Sequence, residues 1–315
     1  MLCGRNAALQ DDSKRLARQR TKRAERGQGL VDQVTEVRSY YEANTPAFER
    51  YSQSGSGLAI RRAVWGPGVS TRLDAFQYVD SLIAEEAESL RSKFGDPLRI
   101  CDFGCGVGTS LLFLASRMPI DGTGVTISPL QARTSNERFR QSGFGERLRC
   151  IEGDFLSAAP NIGAAHVVLS IEAFVHSSEP EAFFRAASQC VAPGGLLIIC
   201  DDVLSERALR GISRREQRLL REFRYGWVAP SVSSEGTMSQ IAVNHGFSRV
   251  KSVDLTPWVE LHRPRDVLLR VLMSFARYLP VRNYRWRSLL GGNALHVAAS
   301  ERLIEYHFMV WRRAL

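Results

Sequence analysis

Residues 100–109 read ICDFGCGVGT, and the fold follows from them. The first four have the apolar character of a buried strand. Gly104, Gly106 and Gly108 then break it before Thr109 opens a helical pattern. Glycines in such a turn leave no Cβ, so a ligand can lie directly on the backbone beside a helix N-terminus. Taken alone, G-x-G-x-G also suits a dinucleotide enzyme, or a tight turn holding nothing.

Outward from this run, strands and helices alternate. LRICDF (98–103), DGTGVTI (121–127), LRCIEGDF (148–155), AHVVLSI (165–171) and GGLLIICDD (194–202) read as strands. TSLLFLASRM (109–118), PLQARTSNERFRQ (129–141) and PEAFFRAASQCV (180–191) read as the helices between them. SERALRGISRREQRLLREFR (205–224) reads as one basic amphipathic helix, and GTMSQIAVNHGF (236–247) as another. FSRVKSVDL (247–255) is a sixth strand, Arg-rich helical stretches follow at about 262–278 and 283–302, and RLIEYHFMVWR (302–312) is a seventh strand. The expected fold is α/β: a Rossmann-like, mostly parallel seven-stranded sheet with helices on both faces.

Residues 1–29 read as a flexible basic tail, and 30–94 as an N-terminal helical cap. In the cap, one helix runs from Leu30 to about Arg50. A second runs from Thr71 to about Ser92, with Leu73, Phe76, Val79, Ile83 and Ala87 on one face. The remaining 95–315 form the main domain, with helical insertions at about 205–245 and 258–302 after the fifth and sixth strands.

Composition narrows the function. The 315 residues are 44% hydrophobic and 24% charged, which excludes wholesale disorder. No uninterrupted apolar run approaches the roughly 18 residues of a spanning helix, so no membrane span is expected. The six cysteines have no paired metal spacing, which points to a reduced, cytoplasmic setting. The formal net charge of +9 is concentrated in the tail and the last third. That distribution suits an enzyme meeting an anion; it also suits an RNA-associated protein, although no aromatic-rich RNA module accompanies it and no specific nucleic acid is expected.

Three motifs together resemble the class I S-adenosylmethionine-dependent methyltransferases: Asp102 before G-x-G-x-G, Asp154 in EGDF, and APGGLLI at 192–198. The second strand ends in GVTISPLQ, with Thr126, Ser128 and Gln131 where many such enzymes, and NAD enzymes, carry a carboxylate. That variant resembles the tocopherol, sterol, cyclopropane-forming and geranyl diphosphate C-methyltransferase group. The resemblance implies S-adenosyl-L-methionine as cofactor, held by Asp102, Gly104, Gly106, Thr126, Ile127, Gln131, Asp154 and the Phe155 amide.

The fourth strand runs into LSIEAFVHS (169–177), which carries Glu172 and His176 toward the carboxyl edge of the sheet. Glu172 matches the glutamate of the isoprenoid-acting relatives. A carboxylate there can stabilise a carbocation and take a proton, whereas its alternative is a helix-start carboxylate and that of His176 a structural hydrogen bond. Tyr51, Gln53 and Trp65, with Phe223, Tyr225 and Trp227 beside the arginine-rich helix, are the expected substrate wall. Trp65 alternatively packs in the core, and the arginines form a solvated face.

The expected activity is methylation of a small isoprenoid, most concretely a prenyl diphosphate at carbon. Magnesium would accompany a diphosphate, although no Asp-rich metal motif is present and the metal ligands stay unknown. A phenol or amine O- or N-methyltransferase is the alternative, and self-association is left open.

Overall fold

The computed structural model describes residues 34–43, 61–260 and 284–315. The basic tail, Tyr51, Gln53 and the stretch at 262–278 lie outside the described residues.

Seven strands form one sheet: β1 (Leu98–Phe103), β2 (Ile120–Thr126), β3 (Leu148–Glu152), β4 (Ala165–Ile171), β5 (Val191–Leu204), β6 (Phe247–Asp254) and β7 (Ile304–Arg313). Their order is β3-β2-β1-β4-β5-β7-β6. The first five pair in parallel, and β7 runs antiparallel to both β5 and β6. Strand order reverses between β1 and β4, and ligands of open α/β sheets bind beyond the carboxyl ends at such a point.

The described helices are α1 (34–43), α2 (Arg72–Glu88), α3 (Arg91–Phe94), α4 (Thr109–Ala115), α5 (Pro129–Gln141), α6 (Phe155–Ile162), α7 (Pro180–Cys190), α8 (Glu206–Leu209), α9 (Arg214–Trp227), α10 (Glu235–Asn244) and α11 (Tyr284–Ser300). They cover both faces. On one, α2, α4 and α5 bury Val79, Ile83, Leu111, Leu114 and Phe139 against the sheet. On the other, Phe103, Phe174, Phe183, Phe184 and Trp311 pack with residues of α9, α10 and α11. Strand alternation divides β7 between them: Met309 and Trp311 serve this second core, and Tyr306, Phe308 and Val310 the first.

Three local expectations are corrected. The 205–224 stretch is two helices, because Gly211 takes φ +105° and Ser213 starts α9 with a reciprocal cap to Glu216. The third strand stops at Glu152, and Asp154 caps α6 by accepting the Leu156 N–H at 3.1 Å. Leu73 is exposed; Asp80 is buried on that helix instead, paired with Arg61. Helices α9 and α11 cross at Gly226 and Gly291, where a Cβ on Gly226 would lie 2.5 Å from the Gly291 Cα.

Phe183 joins the aromatic cluster at edge-on angles to Phe103, Phe155, Phe174 and Phe184, and is fully buried. Phe183→Ala should therefore lower stability by about 3–5 kcal/mol, read as a shift of the urea unfolding midpoint at unchanged slope.

Candidate active site

The glycine turn after β1 is tied to β2, since the Gly104 and Cys105 N–H groups both donate to the Val125 carbonyl. Gly104, Gly106 and Gly108 take φ of +86°, +54° and +76°. A Cβ on Gly104 would meet the Ala173 Cβ at 2.3 Å, and one on Gly108 the Phe139 ring at 2.5 Å. At Gly106 nothing lies within 4 Å. Two of the glycines are therefore required by packing, while the third opens a face of the turn that a ligand can fill.

Asp102 sits below this turn, buried, with its pKa raised to about 8 by burial and then by the charge of Asp80, while Arg61 acts in the opposite direction. Arg61 holds Asp80 through a 2.8 Å Nη1–Oδ1 bond and a second, shorter one, and reaches the Ser110 hydroxyl at 3.3 Å. At the end of β2, the Thr126 hydroxyl donates to Gln131 Oε1 at 2.7 Å, and both residues are buried. Ser128 Oγ accepts the Gln131 N–H and starts α5. A neutral pair thus occupies the place of the usual carboxylate.

Burial also raises the Asp154 carboxyl. The Phe155 ring stacks on Phe103 at 5.3 Å, so its side chain belongs to the core. Ile127 packs against Val37, Tyr40 and Val228.

Glu172 follows β4 with φ +51°, a strained conformation for a residue with a side chain. Its N–H donates to the Cys200 carbonyl on β5. Its Oε1 accepts two hydrogen bonds, from the Arg62 N–H at 3.1 Å and the Tyr306 hydroxyl at 3.0 Å. Among the described residues Oε2 accepts none. Burial holds the Tyr306 phenol well above its ordinary pKa, so this donor keeps its proton.

Arg62 makes a two-pronged pair with Asp202 at 2.7 and 2.5 Å. Its guanidinium lies over the Tyr306 ring at 4.7 Å and near the Trp227 ring at 5.7 Å. The neighbouring Asp201 is fully buried and accepts the Val175 and Asp202 N–H groups.

His176 lies beside this group. Its Nδ1–H donates to the Val228 carbonyl at 3.1 Å, leaving Nε2 to accept the Tyr41 hydroxyl at 2.9 Å. Burial lowers the His176 pKa, so the ring is neutral. Val228 ends α9 at φ +52°, the turn that aims its carbonyl at His176.

Among the described residues, Phe223, Tyr225 and Trp227 do not share one wall. Phe223 is fully buried in the core, whereas Tyr225 is 62% exposed, with Arg287 over its ring. Residues two apart on a helix face nearly opposite ways, so 223 and 225 cannot share a wall. Trp227 alone adjoins Arg62, its indole N–H donating to the Ser288 carbonyl. Trp65 is 36% exposed and held by its backbone N–H on the Trp258 carbonyl. The helix arginines form a solvated face rather than an anion-facing rim: Arg207 pairs with Glu216, Arg215 with Glu301 and Arg218 with Glu222 at the surface.

Residues 100–195 match the methyltransferase domain family. The chain carries a class I S-adenosylmethionine-dependent methyltransferase domain. Norajmaline N-methyltransferase of Rauvolfia serpentina is 26% identical over 147 residues, 45% of this chain and 50% of its own length. Tocopherol O-methyltransferase of Arabidopsis thaliana is 27% identical over 177 residues, 55% and 49% of the two chains. The chain spans about half the length of the curated relatives it matches. The solved geranyl diphosphate C-methyltransferase of Streptomyces coelicolor A3(2) shares the fold with a TM-score of 0.60 and 17% identity, over 87% of this chain and 98% of that one.

Two tests address the cofactor side of the methyltransferase domain. A cation such as S-adenosylmethionine bound at this turn would favour ionised Asp102 over the protonated form present below about pH 8. Its affinity should therefore rise between pH 6 and 8 by calorimetry, and Asp102→Asn should flatten that rise. Gly106→Val fills the open face of the turn and should weaken cofactor binding at least about tenfold while the fold persists by circular dichroism.

Proposed function

We propose that this chain moves a methyl group from S-adenosylmethionine to carbon of a small isoprenoid, with Glu172 removing the proton that the new bond displaces. The observation that carries this reading is the state of the Glu172 carboxylate: two donors hold Oε1, and Oε2 accepts nothing from the described residues. Bound S-adenosylmethionine supplies an electrophilic methyl, and the open face at Gly106, the Thr126–Gln131 pair and Asp154 suit it. Alkene attack leaves a positive charge on the neighbouring carbon. Glu172, with the Tyr306 ring beside it, gives that charge a carboxylate and an aromatic face. Transfer of the adjacent proton to Oε2 then restores the double bond.

The isoprenoid is supported by the geranyl diphosphate enzymes that share the fold and by the tocopherol and sterol relatives. The diphosphate has less support among the described residues, because Arg61 and Arg62 are each already paired with a buried carboxylate. Magnesium does not fit there either. Asp254, Glu305 and His307 could hold an ion, but Glu305 and His307 flank Tyr306 on β7 and leave by the opposite face, and Asp254 already pairs with Arg302. The Glu172 carboxylate also suits an amine, with the neutral Tyr41–His176 pair to take its proton; N-methylation is the second reading, in line with the norajmaline relative.

Methyl-labelled S-adenosylmethionine should be offered with geranyl diphosphate, farnesyl diphosphate, geraniol, a phenol and a secondary amine, and product connectivity determined. A new carbon–carbon bond supports the first reading; methylation of the amine alone replaces it with the second. With the accepted substrate, Glu172→Gln should lower single-turnover rates about 10²-fold or more at nearly unchanged cofactor affinity. Unchanged turnover would make Glu172 a structural residue.

A further inference from the structure

Two thiols meet inside the cofactor turn, and the chemistry proposed above uses neither. Cys105 lies between Gly104 and Gly106, and Cys150 lies on β3. Their sulfurs are 3.3 Å apart. The space is made by Gly124 on the intervening strand β2, the register partner of both Asp102 and Cys150. A Cβ on Gly124 would stand 2.6 Å from the Cys105 Sγ. Cys105 and Cys150 are 9% and 8% exposed, whereas the other adjacent pair, Cys101 and Cys190, is sealed at 0%.

We propose that Cys105 and Cys150 form a redox modification site, closed to a disulfide by a hydroperoxide, and that closure weakens cofactor binding. The hydrogen bond from Cys105 lowers the pKa of the Cys150 thiol, while the same bond and then burial raise that of Cys105, so Cys150 is the attacking sulfur. Its thiolate attacks one peroxide oxygen, the O–O bond breaks, and a sulfenic acid and a water or alcohol result. The Cys105 sulfur then displaces water from the sulfenic sulfur. Two thiols lose two electrons and two protons, and the peroxide takes them up.

A disulfide needs its sulfurs about 2.05 Å apart, so closure moves them more than an ångström together. Cys105 shares its turn with Gly106, whose carbonyl accepts the Ser135 hydroxyl at 3.0 Å. Closure draws the turn toward β3, displacing the backbone on which the cofactor rests.

This inference rests on the assignment of the turn to the cofactor, and its test separates the two. The full chain is treated with hydrogen peroxide, mapped by peptide mass spectrometry, and titrated with S-adenosylhomocysteine by calorimetry before and after. The expected result is a Cys105–Cys150 cross-linked peptide, at least about tenfold weaker binding, and recovery with dithiothreitol. Cys150→Ala should bind like the reduced wild type and keep its affinity through the same treatment. If that variant does not fold, Cys105→Ala provides the same control for peroxide sensitivity. Absence of the cross-link, or a cross-link with unchanged affinity, overturns the proposal. Failure of the reduced wild type to bind would instead overturn the cofactor assignment, with the cross-link still scored independently.

Discussion

The buried pairing of Arg62 with Asp202 joins four parts of the chain. Arg62 precedes α2, Asp202 ends the apolar run of β5, and the rings of Tyr306 and Trp227 that flank the guanidinium come from β7 and α9. Removing one member of such a pair leaves an uncompensated buried charge, which costs about 3–5 kcal/mol. The same residue's backbone N–H fixes Glu172, so the segment before α2 cannot lift away without releasing the carboxylate. Adjacent contacts hold this segment down as well: the Val64 N–H reaches the Ala75 carbonyl and the Trp65 N–H that of Trp258.

Much of the sheet was legible because its strands are buried on both faces and read as short apolar runs between glycine- and proline-marked turns. LRICDF and AHVVLSI match β1 and β4 residue for residue. Local signals competed where the reading failed. Gly211 and the Ser213–Glu216 cap outweighed the helical periodicity of 205–224, and the Asp154 cap ended a strand that had been carried to Phe155. That Tyr306 would reach Glu172 had no sequence signal, because the two lie 134 positions apart and meet only through the antiparallel placement of β7.

The candidate site was legible in its motifs and not in its partners. Asp102, Thr126, Gln131, Asp154 and Glu172 all lie at the carboxyl edge of the parallel strands or just beyond it, where such folds bind ligands. Arg61, Arg62, Asp80, Asp202, Tyr41 and Tyr306 were missed. One of the omissions had a trace in the sequence: Asp202 lies in a continuous apolar strand, and a buried carboxylate there requires a cation. Arg62 is that complement. The aromatic wall was misread because a cluster in sequence was taken for a cluster in space, although a helix spreads residues 223 and 225 to opposite sides.

β7 is the last of the seven strands in the chain, yet it sits inside the sheet between β5 and β6. During synthesis, β1 to β5 can associate as they emerge, while β6 has no neighbour until β7 arrives. The strand that fills this gap also carries Tyr306 to Glu172. A nascent chain can thus form the glycine turn before the Glu172 carboxylate has its Tyr306 donor. Joining of β6 to the sheet and the fixing of the Glu172 carboxylate are therefore a single event, set by the arrival of one strand.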